Sequence, residues 1–239
     1  MEIREKLKIL KELQEVDDEI MRLKNLNKEN PVKIEELDNR IAELEEELAQ
    51  ERSKLENVNA RRLKTDKMLN EKKALLEQLK KKQFEVKTNE QYQLIQKDIK
   101  ETARLIDDLE NELLDLMVER EKEEKEYRRK EEEFNKKKKE IEEEKERLRK
   151  EMEESSEKII IKEDEKKRIS ARLRDEALLN KYERIRASRG GKAVAIIEEA
   201  VCTGCYSTIP PQIFVEIKRG DKIFTCDVCG RILIYKYIE

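Results

Sequence analysis

Apolar residues recur near the start of the chain at alternating steps of four and three: Ile9, Leu13, Val16, Ile20 and Leu23. Such steps keep side chains on one stripe of a helix. The stripe stops at Asn25-Leu-Asn-Lys-Glu-Asn30-Pro31. Proline costs an internal helical hydrogen bond but suits a helix's first position, and Asn30 is a good N-cap. A break or kink is therefore expected near 25–31. A heptad follows at Ile34, Leu37, Ile41, Leu44, Leu48, Leu55, Val58, Leu69, Leu76 and Leu79, with Glu51, Arg62, Thr65 and Lys72 at seam positions. Polar seam residues cost stability and fix register.

Periodicity fails between Leu79 and Tyr92, across Lys80-Lys-Lys-Gln-Phe-Glu-Val-Lys-Thr88-Asn89-Glu90-Gln91. Thr88 or Asn89 is a candidate N-cap for a second helix. Its heptad runs through Tyr92, Ile95, Ile99, Ile106, Leu109, Leu113 and Leu116. Two arms of similar length around a turn near 80–89 predict an antiparallel hairpin in which the chain pairs with itself. Beyond Glu119 the seam thins to Tyr127, Phe134, Ile141 and Leu148, with Glu123, Lys130, Lys137 and Glu144 at the intervening core positions. This stretch is expected to be the most dynamic part of the stalk, and the shift of spacing at Met152 predicts a local unwinding of the supercoil.

Helix is expected to continue to Arg189 and stop at Gly190-Gly191, a candidate C-cap. Ala193–Ile197 and Arg231–Tyr237 read as strands, Pro210-Pro211 as a bar to regular structure, Ile213–Ile217 as an alternating segment, and Arg219-Gly220-Asp221 as a turn.

Composition sharpens this picture. The chain has 239 residues, 47% of them charged and 4% aromatic, with a net charge of only −3. An ordinary globular domain is roughly a quarter charged. Interspersed charges of both signs fit long helices better than a disordered tail. There is no histidine. Histidine-based nucleophilic dyads are thereby excluded, and a metal site must be built from cysteine unless a carboxylate joins. The charged start, Met1-Glu-Ile-Arg-Glu-Lys, carries no apolar leader, and no run approaches a membrane span. A cytoplasmic protein is expected. The abundance of Glu and Lys suggests a heat-adapted source.

The four cysteines form two C-x2-C pairs, Cys202/Cys205 and Cys226/Cys229, twenty residues apart. Four thiolates at this spacing point to one tetrahedral Zn²⁺ rather than disulfides, and a four-thiolate site is closed and structural. Gly204 and Gly230 fit knuckles that need positive φ. Tyr206, Phe214 and Phe224 are expected to form the ribbon's small core.

Two further stretches are candidate contact surfaces. Between Lys162 and Lys192 eleven basic residues face six acidic ones. Within this neck Arg172, Arg174, Lys181, Arg184, Arg186 and Arg189 are candidate contacts for a phosphate backbone or protein partner; the alternative is a solvated helix surface. At the tip, Lys80, Lys81, Lys82 and Lys87 surround Phe84, with Tyr92 beyond. A base-stacking site is one reading. The other, which is favoured, has Phe84 and Tyr92 capping the helical seam.

Thr88-Asn-Glu-Gln-Tyr92 at a hairpin tip, followed by Cys202-Thr-Gly-Cys205 and Cys226-Asp-Val-Cys-Gly-Arg-Ile-Leu-Ile-Tyr235, resembles the bacterial C4-type zinc-ribbon coiled-coil family over essentially the whole chain. Gln91 stands where that pattern often has Glu. The resemblance implies Zn²⁺ on Cys202, Cys205, Cys226 and Cys229. It also implies a link to flagellar regulation, since some relatives bind the sigma-54 factor and flagellin messenger RNA.

The expected fold is thus an all-α long kinked antiparallel coiled-coil hairpin over 1–189, with a small C-terminal β zinc ribbon over 190–239. The expected role is a non-enzymatic adaptor in transcription regulation that binds a protein partner and RNA; the alternative is a purely structural scaffold that binds only proteins. No membrane, no small-molecule substrate and no catalytic residue are expected, and the chain is expected to be a monomer or a weak homo-oligomer.

Overall fold

The computed structural model describes residues 2–237; Met1 and residues 238–239, the outermost of the two expected segments, lie outside them. Helix α1 spans Ile3–Gln83 and α2 spans Asn89–Leu173. After them come α3 (Glu176–Ser188), β1 (Val194–Glu198), β2 (Val201–Cys202), α4 (Pro211–Arg219), β3 (Phe224–Thr225) and β4 (Ile232–Tyr235). The chain divides into two compact units, one of Met1–Glu35 with Lys145–Glu239 and one of Glu36–Glu144.

The two long helices pair antiparallel, as cross-helix contacts reveal. In the first unit Glu12 meets Arg172, Glu19 meets Lys162, Lys24 meets Glu163 and Asn30 meets Glu151. In the second, Glu45 meets Lys138, Arg61 meets Glu119 and Lys73 meets Glu110. In both, the α2 numbers fall overall as the α1 numbers rise, from 172 to 151 in the first unit and from 138 to 110 in the second. The seam of the second unit follows the heptad: Ile41, Leu44, Val58, Leu69, Ile106 and Leu116 are buried. Of the polar seam residues, Thr65 is buried and its hydroxyl lies 3.5 Å from Glu112 of α2. Lys137 lines one cleft with Leu44, Leu48 and Phe134 but is exposed, and its neighbour Lys138 reaches Glu45 at 2.9 Å.

Two helix boundaries differ from expectation. The helix does not break at 25–31: α1 runs through Pro31, and Asn30 is not an N-cap but a helical, 1%-exposed residue whose amide donates to Glu151. Pairing with α2 fixes this segment along its length, so tertiary contact outweighs proline's local preference. Conversely, the expected single helix to Arg189 is interrupted at Arg174, which has φ +47°. Asp175 then caps α3 by accepting from the Leu178 N–H, and its carboxylate also meets Lys6 of α1 at 2.5 Å. Helix α3 ends where the glycines predict: Gly190 and Gly191 have φ +62° and +87°, and the Gly191 N–H donates to the Arg186 carbonyl. A Cβ on Gly191 would run into Met21 of α1.

The tail is a four-stranded sheet in the order β2-β1-β4-β3, with β1 and β4 parallel and the outer pairs antiparallel. Its central strands are apolar on both faces. Val194, Ile232 and Ile234 join a core with Leu7, Leu10, Leu13, Val16 and Ile20 of α1, Ile169 and Leu173 of α2, and Leu178, Tyr182 and Ile185 of α3. Ala195, Ile197 and Leu233 join Ile209, Ile217 and three cysteines on the other side. That second face is covered by α4, where the sequence suggested no helix. Pro211 occupies the first helical turn, where its missing N–H costs nothing, and Gly220 at φ +68° caps the C-terminus. Arg4 of α1 donates to the Arg219 carbonyl at 2.8 and 3.0 Å.

Polar groups complete the junction of helices and sheet. Gln14 is buried; its Oε1 accepts from the Ala193 and Val194 N–H groups, and its Nε2 donates to the Gly191 carbonyl and Asp18. Asp17, 2% exposed, accepts from the Tyr182 hydroxyl at 2.7 Å and faces Lys166 at 2.9 Å and Arg186 at 3.4 Å. Burial first, and the Asp17 charge second, push the Tyr182 phenol pKa up, so it stays a donor.

Replacing Gln14 with Ala strands two buried N–H groups and is expected to lower stability by about 2–4 kcal/mol in urea unfolding, whereas Lys181→Ala should change it by less than about 0.5 kcal/mol. Lys6, first, and the Leu178 N–H, second, hold the Asp175 carboxyl below its ordinary value. Its contribution is therefore present at neutral pH and lost as pH falls through that depressed value. The melting-temperature gap between wild type and Asp175→Asn should close over that acid range and be widest near neutrality.

Candidate metal centre

Two knuckles of the same local build bring the cysteines together. In each, the residue after the second cysteine is left-handed and donates its N–H to the carbonyl of the first: Tyr206 (φ +60°) to Cys202, and Gly230 (φ +73°) to Cys226, both at 2.7 Å. The expectation for Gly230 holds. Gly204 has no positive φ; Tyr206 takes the equivalent position in the first knuckle. Gly204 is small for another reason, since a Cβ there would lie 2.7 Å from Cδ of Arg231.

The sulfurs lie 3.9 Å apart for Cys202 and Cys229 and 3.6 Å for Cys205 and Cys226, and all four are within 4.8 Å of one another. Four thiolates about 2.3 Å from a tetrahedral Zn²⁺ sit about 3.8 Å from each other, so this set fits one such ion. The donor chemistry agrees. Backbone N–H groups of Gly204 and Cys205 aim at the Cys202 sulfur, and those of Val228 and Cys229 at Cys226. Burial nevertheless pushes the Cys202 thiol up to about 12 and raises Cys226. The Ser207 hydroxyl, 3.2 Å away, with its backbone N–H, draws Cys205 down to about 6. Thiolates of such uneven cost share one remedy, a divalent ion that offsets their charge. The four positions are filled by protein, so the ion would be structural.

One residue that sequence reasoning passed over joins this centre to the helices. Arg231 donates to the carbonyls of Lys192 (2.9 Å), Gly204 (2.8 Å) and Arg189 (3.2 Å), tying the end of α3 and the start of β1 to the first knuckle. Its signal was the Cys-Gly-Arg sequence of the second knuckle. Gln14 and Asp17 were passed over too, because they fall beside rather than on the apolar stripe.

The aromatic expectations divide. Phe214 and Phe224 pack against the ribbon core, and Phe214 meets Tyr235 edge-on at 5.9 Å. Tyr206 is 81% exposed, not core, and Val228 in the facing knuckle is 69% exposed. The left-handed backbone at Tyr206 turns its side chain out of the packed sheet.

The six neck residues also divide. Arg172 is paired with Glu12, and Arg186 with Glu183 and the buried Asp17. Arg174, Lys181, Arg184 and Arg189 have no ion-pair partner among the described residues; Arg174, Arg184 and Arg189 are exposed and Lys181 is half-buried. Arg174 precedes α3 and Arg189 follows it, so the four are strung along about 20 Å of helix rather than gathered in one cluster.

Residues 201–233 match the family of C4-type zinc ribbon domains. A comparison with curated proteins finds no match. Among solved structures, the chain is similar to CT398 from Chlamydia trachomatis (20% identity, TM-score 0.76, covering 98% of this chain and 99% of that one). It is similar to a protein from Mycobacterium smegmatis (22% identity, TM-score 0.79, covering 98% and 100%). It is also similar to HP0958 from Helicobacter pylori (20% identity, TM-score 0.53, covering 97% of each chain). At these identities the likeness speaks for the fold alone. No helix among the described residues is long and apolar enough to cross a membrane.

Elemental analysis of the purified chain is expected to find one zinc per protein. Cys229→Ser should lose the metal and the chemical-shift dispersion of β1 and β4 while leaving most helical circular dichroism in place.

Proposed function

We propose that the chain is a non-enzymatic adaptor whose zinc-clamped end docks onto transcription machinery, with a sigma-54-like factor as the protein partner and RNA as a second ligand. The observation that carries this reading is the set of four cations, Arg174, Lys181, Arg184 and Arg189, without ion-pair partners among the described residues, strung along a helix whose C-terminal end Arg231 ties to the first knuckle. In a chain whose net charge is only −3, a run of cations along one short helix suits an acidic protein surface or a phosphate backbone. Tyr206 and Val228, exposed on the two knuckles, add apolar contact at the same end. The closed thiolate set leaves the zinc no free position for substrate, which supports a binding role over catalysis.

A purely structural scaffold is the second reading, and one feature of the long helices favours it. Leu63 of α1 and Leu114, Met117 and Val118 of α2 are 47–70% exposed within the second compact unit. By helical position they fall on one flank of the paired helices, as an apolar protein-docking strip would.

The intact protein, recovered from its own cell extract, is expected to retain a bound protein after nuclease treatment. Arg174/Lys181/Arg184/Arg189→Ala should lose that partner at moderate salt while keeping its zinc. A partner retained fully by this variant and released only by Leu63/Met117→Glu would replace the adaptor reading with the scaffold.

A further inference from the structure

The tip of the hairpin, Lys80–Tyr92, lies far in sequence from the neck and the knuckles. Its aromatic is not where a mere connection puts one. Phe84 is 88% exposed, against the expectation that it caps the seam. The turn around it is closed by backbone alone, with the Phe84 and Glu85 N–H groups donating to the Lys81 and Lys82 carbonyls. Thr88 accepts from the Gln91 N–H and so caps α2 without help from the ring. Tyr92, on the first turn of α2, is 42% exposed. Neither aromatic is fully enclosed by the fold, and the cost of leaving the Phe84 ring in water is offset by nothing within the hairpin.

Charge around the ring is uneven. Residues 80–92 carry four lysines and two glutamates, a net of +2 in a chain whose net charge is −3. Lys80 is 3.7 Å from Glu77, whereas Lys81, Lys82 and Lys87 have no ion-pair partner among the described residues. Lysines in the last turn of α1 complement the helix dipole, which accounts for three of the four but not for the bare ring among them. The other exposed polar side chains include the amides of Asn89 and Gln91.

We infer that this tip binds single-stranded nucleic acid, with Phe84 stacking on a base and Lys81, Lys82 and Lys87 contacting the phosphates. An aromatic face among unpaired cations, with amides at hand for base edges, is the chemistry such strands use. An anionic bilayer fits less well: burying Phe84 in it would carry Glu85 beside the ring toward the headgroups, whereas stacking leaves both carboxylates in water. A duplex hides its base faces and offers the ring nothing to stack on.

The test uses the intact zinc-loaded protein, with a fluorescein-labelled fifteen-nucleotide oligouridylate, an RNA duplex of equal length, and phosphatidylglycerol vesicles as probes. The oligouridylate should bind more tightly than the duplex. Phe84→Ala should weaken it about ten-fold and Phe84→Trp should not, in keeping with the usual worth of one base–aromatic stack. Lys81/Lys82/Lys87→Gln should weaken binding and flatten its salt dependence by about 0.7 in log–log slope per lost phosphate contact. The Phe84 effect should persist in the Arg174/Lys181/Arg184/Arg189→Ala background, which separates the tip from the neck. Oligouridylate affinity within two-fold for wild type and Phe84→Ala overturns the proposal. So does Phe84-dependent capture of the vesicles without binding of the oligouridylate.

Discussion

The parallel pair of β1 and β4 is apolar on both faces, and the packing of the unit that holds it is the answer to that constraint. Side chains alternate strictly: Val194, Ile232 and Ile234 go to the helix side, and Ala195, Ile197 and Leu233 to the cysteine side. Strands buried on both faces need two covers. On one side the cover is the first twenty residues of α1, the end of α2 at Ile169 and Leu173, and α3. On the other it is α4 and the thiolates. Each buried Val, Ile or Leu returned to water costs about 2 kcal/mol, so neither cover is dispensable for a ribbon this small. The same demand explains why the start of α1 is buried beyond one stripe: Leu7 and Leu10 are enclosed as well as Leu13, Val16 and Ile20.

The zinc knuckles are therefore one wall of a core that also includes the beginning of the chain. Gln14 pairs with the N–H groups that open β1, Arg231 with the carbonyls that close α3, and Asp17 gathers Tyr182, Lys166 and Arg186. These contacts consume polar groups that would otherwise face solvent as a site. Arg186 is the plainest case: a candidate contact for a partner by its place in a basic run, it is turned inward to a buried carboxylate. Arg174, Arg184 and Arg189 beside and on α3, Tyr206 and Val228 on the knuckles, and Phe84 in the hairpin turn stay exposed and take no part in this core.

Features set by periodicity or by covalent spacing were legible in the sequence. The heptads named the seam residues, the four cysteines named their own site, and the glycine pair marked the end of α3. The misreadings came where local and tertiary preferences disagree. Pro31 suggested a helix start, but pairing with α2 carries the helix across it. Pro210-Pro211 suggested irregular structure, yet proline at a first helical turn begins α4; Ile213 and Ile217, four apart, and the closing Gly220 were its signal. The interruption at Arg174 has no glycine or proline to announce it, only Asp175 in capping position. Exposure of Phe84 and Tyr206 was illegible because an aromatic beside a turn reads alike whether it folds in or points out.

Amide hydrogen exchange before and after removal of zinc by a chelator tests most directly whether the knuckles and the start of α1 share one core. The account predicts that protection is lost in β1 and β4 and falls together in residues 7–20 of α1, while residues 41–69 keep theirs. Full protection of residues 7–20 in a protein whose ribbon has melted would contradict it, and would make the ribbon an appendage that the helices do not need.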